Sequence, residues 1–287
     1  MSSEGDRSTP KGSEGRIGEA RLNGFMTRYW QGRAHDLGQM TLPQLARAFI
    51  SYPAVQVYLG LALAAAVVAL SMVTQPLRTT AAVLAGVLVW PLVWYMLHRF
   101  VLHGRWLYKS PYTAKLWKRI HFDHHQDPQD LRVLFGSLDN TLPTIALSSI
   151  PIGWLIAGPA GAAAAFSSAL FVTAFNEFVH CVQHLNVLPQ WKWLQTMKRR
   201  HVSHHYHSEQ GNFGIADFFW DRVFGTLYET ARERPKSTTV YNLGYTAAEA
   251  ERYPWVKDLS QGRRLDDGPR GINQAALRVG EPAPAER

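Results

Sequence analysis

Charged residues are missing from three long blocks of this chain, and apolar residues dominate these blocks. No Asp, Glu, Lys or Arg occurs at residues 48–77, 79–97 or 140–176. A helix of about 20 apolar residues is long enough to cross a membrane. The first two blocks therefore predict two transmembrane helices that form a hairpin around a turn at residues 75–78.

The third block is too long for one membrane crossing. Its 37 residues would make a helix of about 55 Å, whereas the hydrocarbon core of a membrane is about 30 Å thick. Gly158-Pro159-Ala160-Gly161 lies near the middle of the block and favours a turn. We therefore expect two spans here, and the predicted fold class is an all-α, polytopic membrane protein with about four transmembrane helices.

Basic residues are concentrated on one side of these four predicted spans. The opposite side holds only Arg78, so the positive-inside rule places both termini and both large loops in the cytoplasm. Trp and Tyr residues interleave with the loop lysines next to the spans. This arrangement is typical of an aromatic belt at the headgroup level, and we expect no nucleic-acid partner. The basic loop residues are Arg99, Arg105, Lys109, Lys115, Lys118, Arg119, Arg132, Lys192, Lys198, Arg199 and Arg200.

Composition excludes other classes of protein. Hydrophobic residues make up 46% and charged residues 18% of the chain, which is too apolar for a disordered protein. The single cysteine, Cys181, excludes an intrachain disulfide and a thiolate metal cluster. The polar ends predict a disordered, cytoplasmic N-terminal region at residues 1–47 and a disordered tail at 261–287, on either side of a transmembrane domain at 48–260.

Ten of the twelve histidines fall in four short clusters with regular spacing. The clusters follow the patterns H-x4-H, H-x2-HH, H-x3-H and H-x2-HH, and they lie at the ends of predicted spans or in the basic loops. Their members are His98 and His103; His121, His124 and His125; His180 and His184; and His201, His204 and His205.

These spacings indicate a metal site. Residues three or four apart share one face of a helix, so each H-x2-HH cluster can present two or three imidazoles to a common point. His98 and His103 lie about 140° apart on an α-helix, and they converge only if the helix ends or if they bind different ions. Ten imidazoles exceed the ligand number of one transition metal. We therefore predict a cytoplasmic helical cap that carries two metal ions.

Four other residues near the clusters or upstream of them have candidate roles. Glu177 and Asp123 are each placed to orient a neighbouring imidazole through its second ring nitrogen. Equally, Glu177 can serve to cap charge at the end of a span. His207 is a candidate for supporting a ligand, and His35 is expected to lie on the surface.

The order of the four clusters resembles the fatty acid hydroxylase superfamily, the membrane-bound non-haem di-iron enzymes that include sterol desaturases and hydroxylases of fatty acids, sphingolipids and carotenes. All ten histidine positions of that pattern are filled here. The chain is most similar to the fatty acid 2-hydroxylases over roughly residues 91–228. The segments that carry this similarity are Tyr95–His103, His201–Ser208, Gly211–Gly214 and Trp220–Thr226.

The resemblance implies an O2-dependent hydroxylase whose ten histidines bind two Fe2+ ions, with zinc able to replace iron in isolated protein. The implied substrate is a lipid acyl chain that enters from the bilayer and is hydroxylated near its carboxyl carbon. Gly136 and Phe213-Gly214 are expected to shape its cavity. No catalytic residue beyond the metal ligands is implied.

The resemblance also implies an external electron donor. The eukaryotic 2-hydroxylases often carry a fused cytochrome b5-like domain, and residues 1–47 lack its haem-binding motif. We therefore expect a separate electron-transfer protein, either cytochrome b5-like or a ferredoxin with its reductase.

Three alternatives stay open. The same chemistry can act on a sterol, a carotenoid or an aminolipid, or it can desaturate instead of hydroxylating; lipid profiling separates these. A divalent-metal transporter also carries intramembrane histidines, but near the bilayer midplane rather than at the ends of the spans. A metal-dependent scaffold protein needs far fewer than ten ligands.

Overall fold

The computed structural model describes residues 36–260, and the regular structure in that range is helical. Helix α1 spans Leu42–Ile50, and the long apolar helices α2 and α3 span Pro53–Met72 and Pro76–Met96. Each of the three helices has a proline in its first turn, where the missing amide hydrogen breaks no helical hydrogen bond. This confirms the predicted hairpin of two apolar helices.

A set of short helices covers the end of α3. A π-helical turn at Leu97–Leu102 continues α3 directly. After it come α4 (Pro111–Trp117), a second π-helical turn (Lys118–Phe122), α5 (Asp123–Gln126) and α6 (Leu131–Leu134).

Helix α7 spans Leu138–His184 and folds back on itself near its middle. Ala157 and Gly158 have non-helical backbone angles, and Gly158 has a φ of 59°, which glycine adopts without strain. A Cβ atom on Gly153 would overlap the carbonyl oxygen of Gly161. Because eight residues of continuous helix span about 12 Å, this contact shows that the chain reverses at the predicted break.

The described residues after α7, up to residue 260, complete a helical cap at the end of the bundle where His98 and His184 lie. It includes α8 (Lys192–Tyr206), α9 (Phe219–Val223), α10 (Ala247–Arg252) and α11 (Trp255–Leu259). Trp117, Phe122 and Tyr245 pack together in the hydrophobic core of this cap.

Three helices are long and apolar enough to cross a membrane: Pro53–Met72, Pro76–Leu102 and Leu131–His184. Large apolar side chains such as Leu70, Leu88 and Leu155 are exposed on them, as expected for surfaces that face lipid. The three helices indicate a membrane protein. Four crossings stay a prediction, to which the doubled-back α7 would contribute two.

Small residues allow these helices to pack closely. The hydroxyl of Ser167 on α7 donates to the carbonyl of Ala62 on α2 at 2.8 Å, and that of Ser168 donates to the carbonyl of Val83 on α3 at 3.0 Å. Such contacts between small polar residues are typical of helix association in membranes. They hold α7 against the α2–α3 hairpin, so the histidines at its end have a fixed position.

The predicted domain boundaries stay a prediction. Leu37 and Leu45 precede residue 48, and both are fully buried in a core cluster with Phe135 and Val182. The described residues upstream of 48 therefore pack against the body that carries the histidines.

Candidate metal centre

Nine of the ten predicted histidines lie in two groups at the cap end of the bundle. Within each group, one ring nitrogen from each residue lies within 4.8 Å of those of the other members. The group of five contains His124, His180, His184, His201 and His205, and the group of four contains His98, His103, His121 and His204.

Regular helices hold the group of five. His180 and His184 lie one turn apart at the end of α7, and His201 and His205 lie one turn apart on α8, so each pair shares a helix face. The Nε2 atoms of His184 and His201 are 3.0 Å apart. His124 on α5 faces both pairs, with its ring centroid 4.8 Å from that of His180. All five side chains are buried.

A π-helical turn brings His98 and His103 together. The amide of His103 donates to the carbonyl of His98 at 3.0 Å, which is the five-residue hydrogen bond of a π-helix. The two Nε2 atoms lie 3.2 Å apart, and Nε2 of His121 lies 2.8 Å from that of His103. The sequence offered a helix end or two separate ions as explanations for this spacing. The π-helical turn ends at Leu102 with His103 as its C-cap, so the two rings converge at a helix end and lie in one group.

The fourth cluster presents two of its imidazoles, those of His201 and His205, to the group of five, as its spacing predicts, whereas the second cluster places no two of its imidazoles in one group, contrary to the expectation. His121 belongs to the group of four and His124 to the group of five. The π-helical turn at Lys118–Phe122 ends between them. On α8, His204 is rotated by about 100° from His205, which directs it to the group of four.

His125 lies between the two groups and belongs to neither. Its ring stacks on that of His205 at 4.2 Å and lies 5.1 Å from that of His204. Its Nδ1 is 2.9 Å from the carbonyl of Val240, and its buried Nε2 has no hydrogen-bond partner in the part of the chain that the structure describes. This nitrogen therefore has a free lone pair beside both groups.

The donor atoms of both groups fit transition-metal ions. Buried ring nitrogens of His124, His204 and His205 have no hydrogen-bond partner within residues 36–260, and each unpaired buried polar group costs about 1–3 kcal/mol. Metal–nitrogen bonds of about 2.0–2.1 Å place two tetrahedral ligands about 3.3 Å apart. The Nε2 separations of 2.8 to 3.2 Å between neighbouring rings are close to that distance.

Burial keeps these imidazoles in the neutral form that binds metals. Loss of hydration lowers the pKa of His125 to about 3, and it lowers the pKa values of His121, His204 and His205 well below 6.5. Neighbouring imidazoles oppose a second positive charge and lower the pKa values of these last three further. At pH 7 the rings can therefore bind an ion without first losing a proton.

Backbone carbonyls orient two members of the group of four. Nδ1 of His98 donates to the carbonyl of Phe213, and Nδ1 of His204 donates to that of Gly211 at 2.7 Å. These hydrogen bonds place the proton on Nδ1 and leave Nε2 free, which is how outer partners usually fix a metal-binding histidine.

A buried aspartate holds the loop that supplies one of these carbonyls. The carboxylate of Asp221 accepts hydrogen bonds from the amides of Phe213 at 2.8 Å and Gly214 at 2.7 Å, and from the hydroxyl of Thr226 at 2.7 Å. The Trp220–Thr226 segment therefore has a physical role in the site. No role was predicted for Asp221, whose only signal in the sequence is a carboxylate within this segment.

The other residues singled out from the sequence lie at different distances from the groups. Glu177 is buried, and its Oε2 is 4.0 Å from Nδ1 of His180. Asp123 instead forms an ion pair with Lys118 at 2.6 Å. His207 is outside both groups and contacts the carbonyl of Arg234 at 2.8 Å. His35 lies outside the described residues.

An apolar cavity of about 180 Å³ ends on both histidine groups. Trp90, Leu116 and Ile120 contribute to its wall, and its histidine lining is shared by His98, His121, His124, His180 and His201. Gly136 lines this cavity, whereas Phe213 and Gly214 line two other cavities. An apolar chain in this space would have one end beside the ring nitrogens.

The fold and this site define a helical membrane protein with a histidine-rich metal centre. The profile of the fatty acid hydroxylase family matches residues 83–226, half of the chain. The protein belongs to the fatty acid hydroxylase family.

Curated relatives are similar to the same part of the chain. Ceramide very long chain fatty acid hydroxylase SCS7 of Saccharomyces cerevisiae is 32% identical over 148 residues, which are 49% of this chain and 36% of the yeast protein. Dihydroceramide fatty acyl 2-hydroxylase FAH2 of Arabidopsis thaliana is 33% identical over 143 residues, 50% of this chain and 58% of the plant protein. The matches thus span between about a third and three fifths of these relatives.

A solved structure has a similar fold. The structure described as full-length scs7p, with only the hydroxylase domain visible, aligns with a TM-score of 0.53 and 28% sequence identity. The alignment covers 70% of this chain and 71% of that chain.

Proposed function

We propose that this protein is an O2-dependent hydroxylase that inserts one oxygen atom into a C–H bond of a lipid acyl chain. The observation that carries this proposal is the apolar cavity that ends on both histidine groups. A cavity of this kind suits a hydrocarbon chain, and a metal ion in either group would face the C–H bonds at its inner end. The names of the 2-hydroxylase relatives favour the carbon next to the carboxyl carbon.

We assign two Fe2+ ions to the site, one in each group, with all ten histidines as ligands. His125 is the tenth ligand, because its free Nε2 lies beside both groups. When bound, the iron supplies the activation of O2, which amino-acid side chains cannot perform. Zinc accepts the same imidazole ligands, so zinc in purified protein is consistent with this assignment.

The residues of the chain position the substrate and exclude water. Trp90, Leu116 and Ile120 would hold the acyl chain in the apolar cavity. The carbonyls of Phe213 and Gly211 keep His98 and His204 in one tautomer, so their metal-binding nitrogens stay in place before substrate binds.

The protein is proposed to lie in the membrane as a multi-pass protein with its site and both termini on the cytoplasmic side. The excess of Lys and Arg in the cap supports this orientation, because only Arg78 lies in the turn at the other end of the α2–α3 hairpin. Electrons are proposed to come from a separate protein, either cytochrome b5-like or a ferredoxin with its reductase.

The central experiment compares lipids from a host that expresses the wild type or His204→Ala. Cells that express the wild type should form lipids that are 16 Da heavier, and this product should form only when O2 is present. Cells that express His204→Ala should form no such product, because the variant lacks one ligand of the group of four. Mass spectrometry of the acyl chains locates the added oxygen. A product that is 2 Da lighter would indicate desaturation instead of hydroxylation. Modified sterols, carotenoids or aminolipids would show that the substrate is one of these lipids and not an acyl chain.

His207→Ala is the matched control. It also removes an imidazole from the cap, but His207 lies outside both groups, so product should persist. Equal production by wild type and His204→Ala, with both proteins in the membrane fraction, would contradict the proposed ligand role.

A further inference from the structure

A second cavity lies against the group of four. It has a volume of about 260 Å³, and Arg99, His103, Arg105, Glu209 and Phe213 contribute to its lining. Only His103 is shared between its lining and the two groups. The apolar cavity, in contrast, is lined by five other histidines and contains neither arginine.

His103 differs from the other eight histidines of the two groups because it is only partly buried. Its Nε2 faces His98 and His121. Its other ring nitrogen has no hydrogen-bond acceptor among residues 36–260, whereas Nδ1 of His98 and of His204 each contacts a carbonyl. The free edge of His103 therefore faces the second cavity.

Phe213 separates this cavity from the ring nitrogens behind it. Its ring centroid lies 5.3 Å from that of His103 and 5.7 Å from those of His98 and His204. A molecule in the second cavity would touch the edge of His103 without reaching the inner end of the apolar cavity. This position suits the transfer of electrons better than the binding of an acyl chain.

The rim of the cavity is positively charged. In the described part of the chain, neither Arg99 nor Arg105 lies within 4.0 Å of a carboxylate. Arg99 donates to the hydroxyl of Tyr95, and Arg105 donates to that of Thr239. Arg105 is exposed, so its charge is available to a partner.

One carboxylate lies deeper in the cavity. Glu209 is 4% exposed, and its Oε1 accepts a hydrogen bond from Thr239 at 2.6 Å. Because its charge is withdrawn from the surface, it offsets only part of the positive potential at the rim. A protein with acidic residues around its redox cofactor complements such a rim.

We propose that the surface formed by Arg99, His103 and Arg105 is the docking site of the electron donor, that the donor presents an acidic face, and that electrons pass through the imidazole of His103. The inference rests on the proposed function.

Hydroxylation converts C–H and O2 into C–OH and H2O and consumes two electrons and two protons. A one-electron carrier is therefore oxidised twice in each turnover. Because electron transfer weakens steeply with distance, the exposed ligand edge is the favoured point of entrance.

The test uses the full chain in nanodiscs of neutral phosphatidylcholine, with an acidic plant-type ferredoxin as the probe. Arg105→Glu should weaken ferredoxin binding by roughly tenfold and flatten its dependence on salt, because a rim charge acts mainly through long-range attraction. Arg105→Gln should have a smaller effect. Arg232→Glu is the matched control, since Arg232 is exposed and does not line the cavity.

A second measurement follows the anaerobic oxidation of reduced ferredoxin by the metal-loaded protein. Arg105→Glu should slow this oxidation of ferredoxin by roughly tenfold, similar to its effect on ferredoxin binding. The rate at which the small reductant dithionite reduces the metal-loaded protein should be unchanged. Equal effects of Arg105→Glu and Arg232→Glu would overturn the docking site. So would a wild type that binds ferredoxin no more tightly than Arg105→Glu.

These results are independent of product formation. A chain that binds ferredoxin through Arg105 and makes no hydroxylated lipid would refute the proposed function and retain the docking site. If the wild type hydroxylates lipid and the Arg105→Glu and Arg232→Glu variants do so at equal rates, the proposed function would be retained and the docking site refuted.

Discussion

The two histidine groups contain the same side chain on different supports. In the group of five, four members come from the regular helices α7 and α8, and all five are buried. In the group of four, π-helical turns carry His98 and His121, and backbone carbonyls of a loop orient His98 and His204. The group of four also includes His103, which is partly exposed.

This difference indicates a division of roles. A group on packed helices keeps its geometry with little help, because the i, i+4 spacing already aligns its side chains. A group on turns and loops depends on residues farther away, but it can be reached from the surface. We expect the group of four to be the more fragile and the one that exchanges electrons with the donor.

The largest expected effect is on metal content. His121→Ala leaves three imidazoles in the group of four and should reduce the metal content from two ions to one per chain. His184→Ala leaves four imidazoles in the group of five, which is still a complete tetrahedral set, so more of its metal should remain. Plasma mass spectrometry of purified protein measures both ratios.

His207→Ala serves as the control in that experiment and should retain the wild-type ratio. Equal loss of metal from His121→Ala and His184→Ala would show that the two groups do not differ in robustness.

The same contrast explains which parts of the site could be predicted from the sequence. The i, i+4 spacing of His180 and His184 predicts a shared helix face, and the structure agrees. The approach of His98 and His103 was predicted only for a helix that ends there, which it does. The π-helical hydrogen bond that forms this end could not be predicted, because the spacing of an ordinary α-helix does not contain it. The break in α7 was predictable, since Gly158 and its neighbours favour a turn in any context.

Contacts made by distant loops left the weakest sequence signal. Asp221 reaches the histidines only through the backbone of Phe213, and no periodic pattern connects the two positions. The assignment of His121 and His124 to different groups likewise depends on how the chain turns between them. Tertiary packing, rather than local preference, determines these features.

The second expected effect concerns the support of the group of four. Asp221→Asn removes a charge that accepts hydrogen bonds from the amides of Phe213 and Gly214. Loss of a partner bonded directly to a ligating imidazole typically weakens metal binding by about 10–100-fold. Because Asp221 acts through the backbone of Phe213, we expect a loss of about tenfold, the lower end of that range, in the group of four alone. Competitive metal titration of the purified protein measures it.

Thr226→Val should have a milder effect, because it removes one hydroxyl that donates to the same carboxylate. A loss of affinity confined to the group of five would contradict this account of Asp221.

A third expectation concerns the space between the groups. Burial lowers the pKa of His125 to about 3 in the folded protein, while the unfolded chain has the ordinary value of about 6.5. Below pH 6.5 the unfolded state therefore binds more protons. Because of His125, the free energy of unfolding of the metal-free protein should fall by about 1.4 kcal/mol for each pH unit between about pH 6 and pH 3. Above pH 7, His125 should not change the dependence of this free energy on pH.

Thermal unfolding between pH 4.5 and 7.5, at about one-unit intervals, measures this slope. His125→Gln should show a shallower dependence than the wild type, because the glutamine does not titrate. Identical slopes would show that His125 is not buried as a neutral ring.

The smallest expected effect is on the group of five. Oε2 of Glu177 is 4.0 Å from Nδ1 of His180, which is longer than a hydrogen bond. Glu177→Gln should therefore weaken metal binding in that group by less than about tenfold, below the usual effect of a directly bonded outer partner. Asp123→Asn makes the same chemical change at the ion pair with Lys118 and should alter neither group. If Asp123→Asn weakens binding and Glu177→Gln does not, the carboxylate that supports the metal centre acts from the cap rather than from α7.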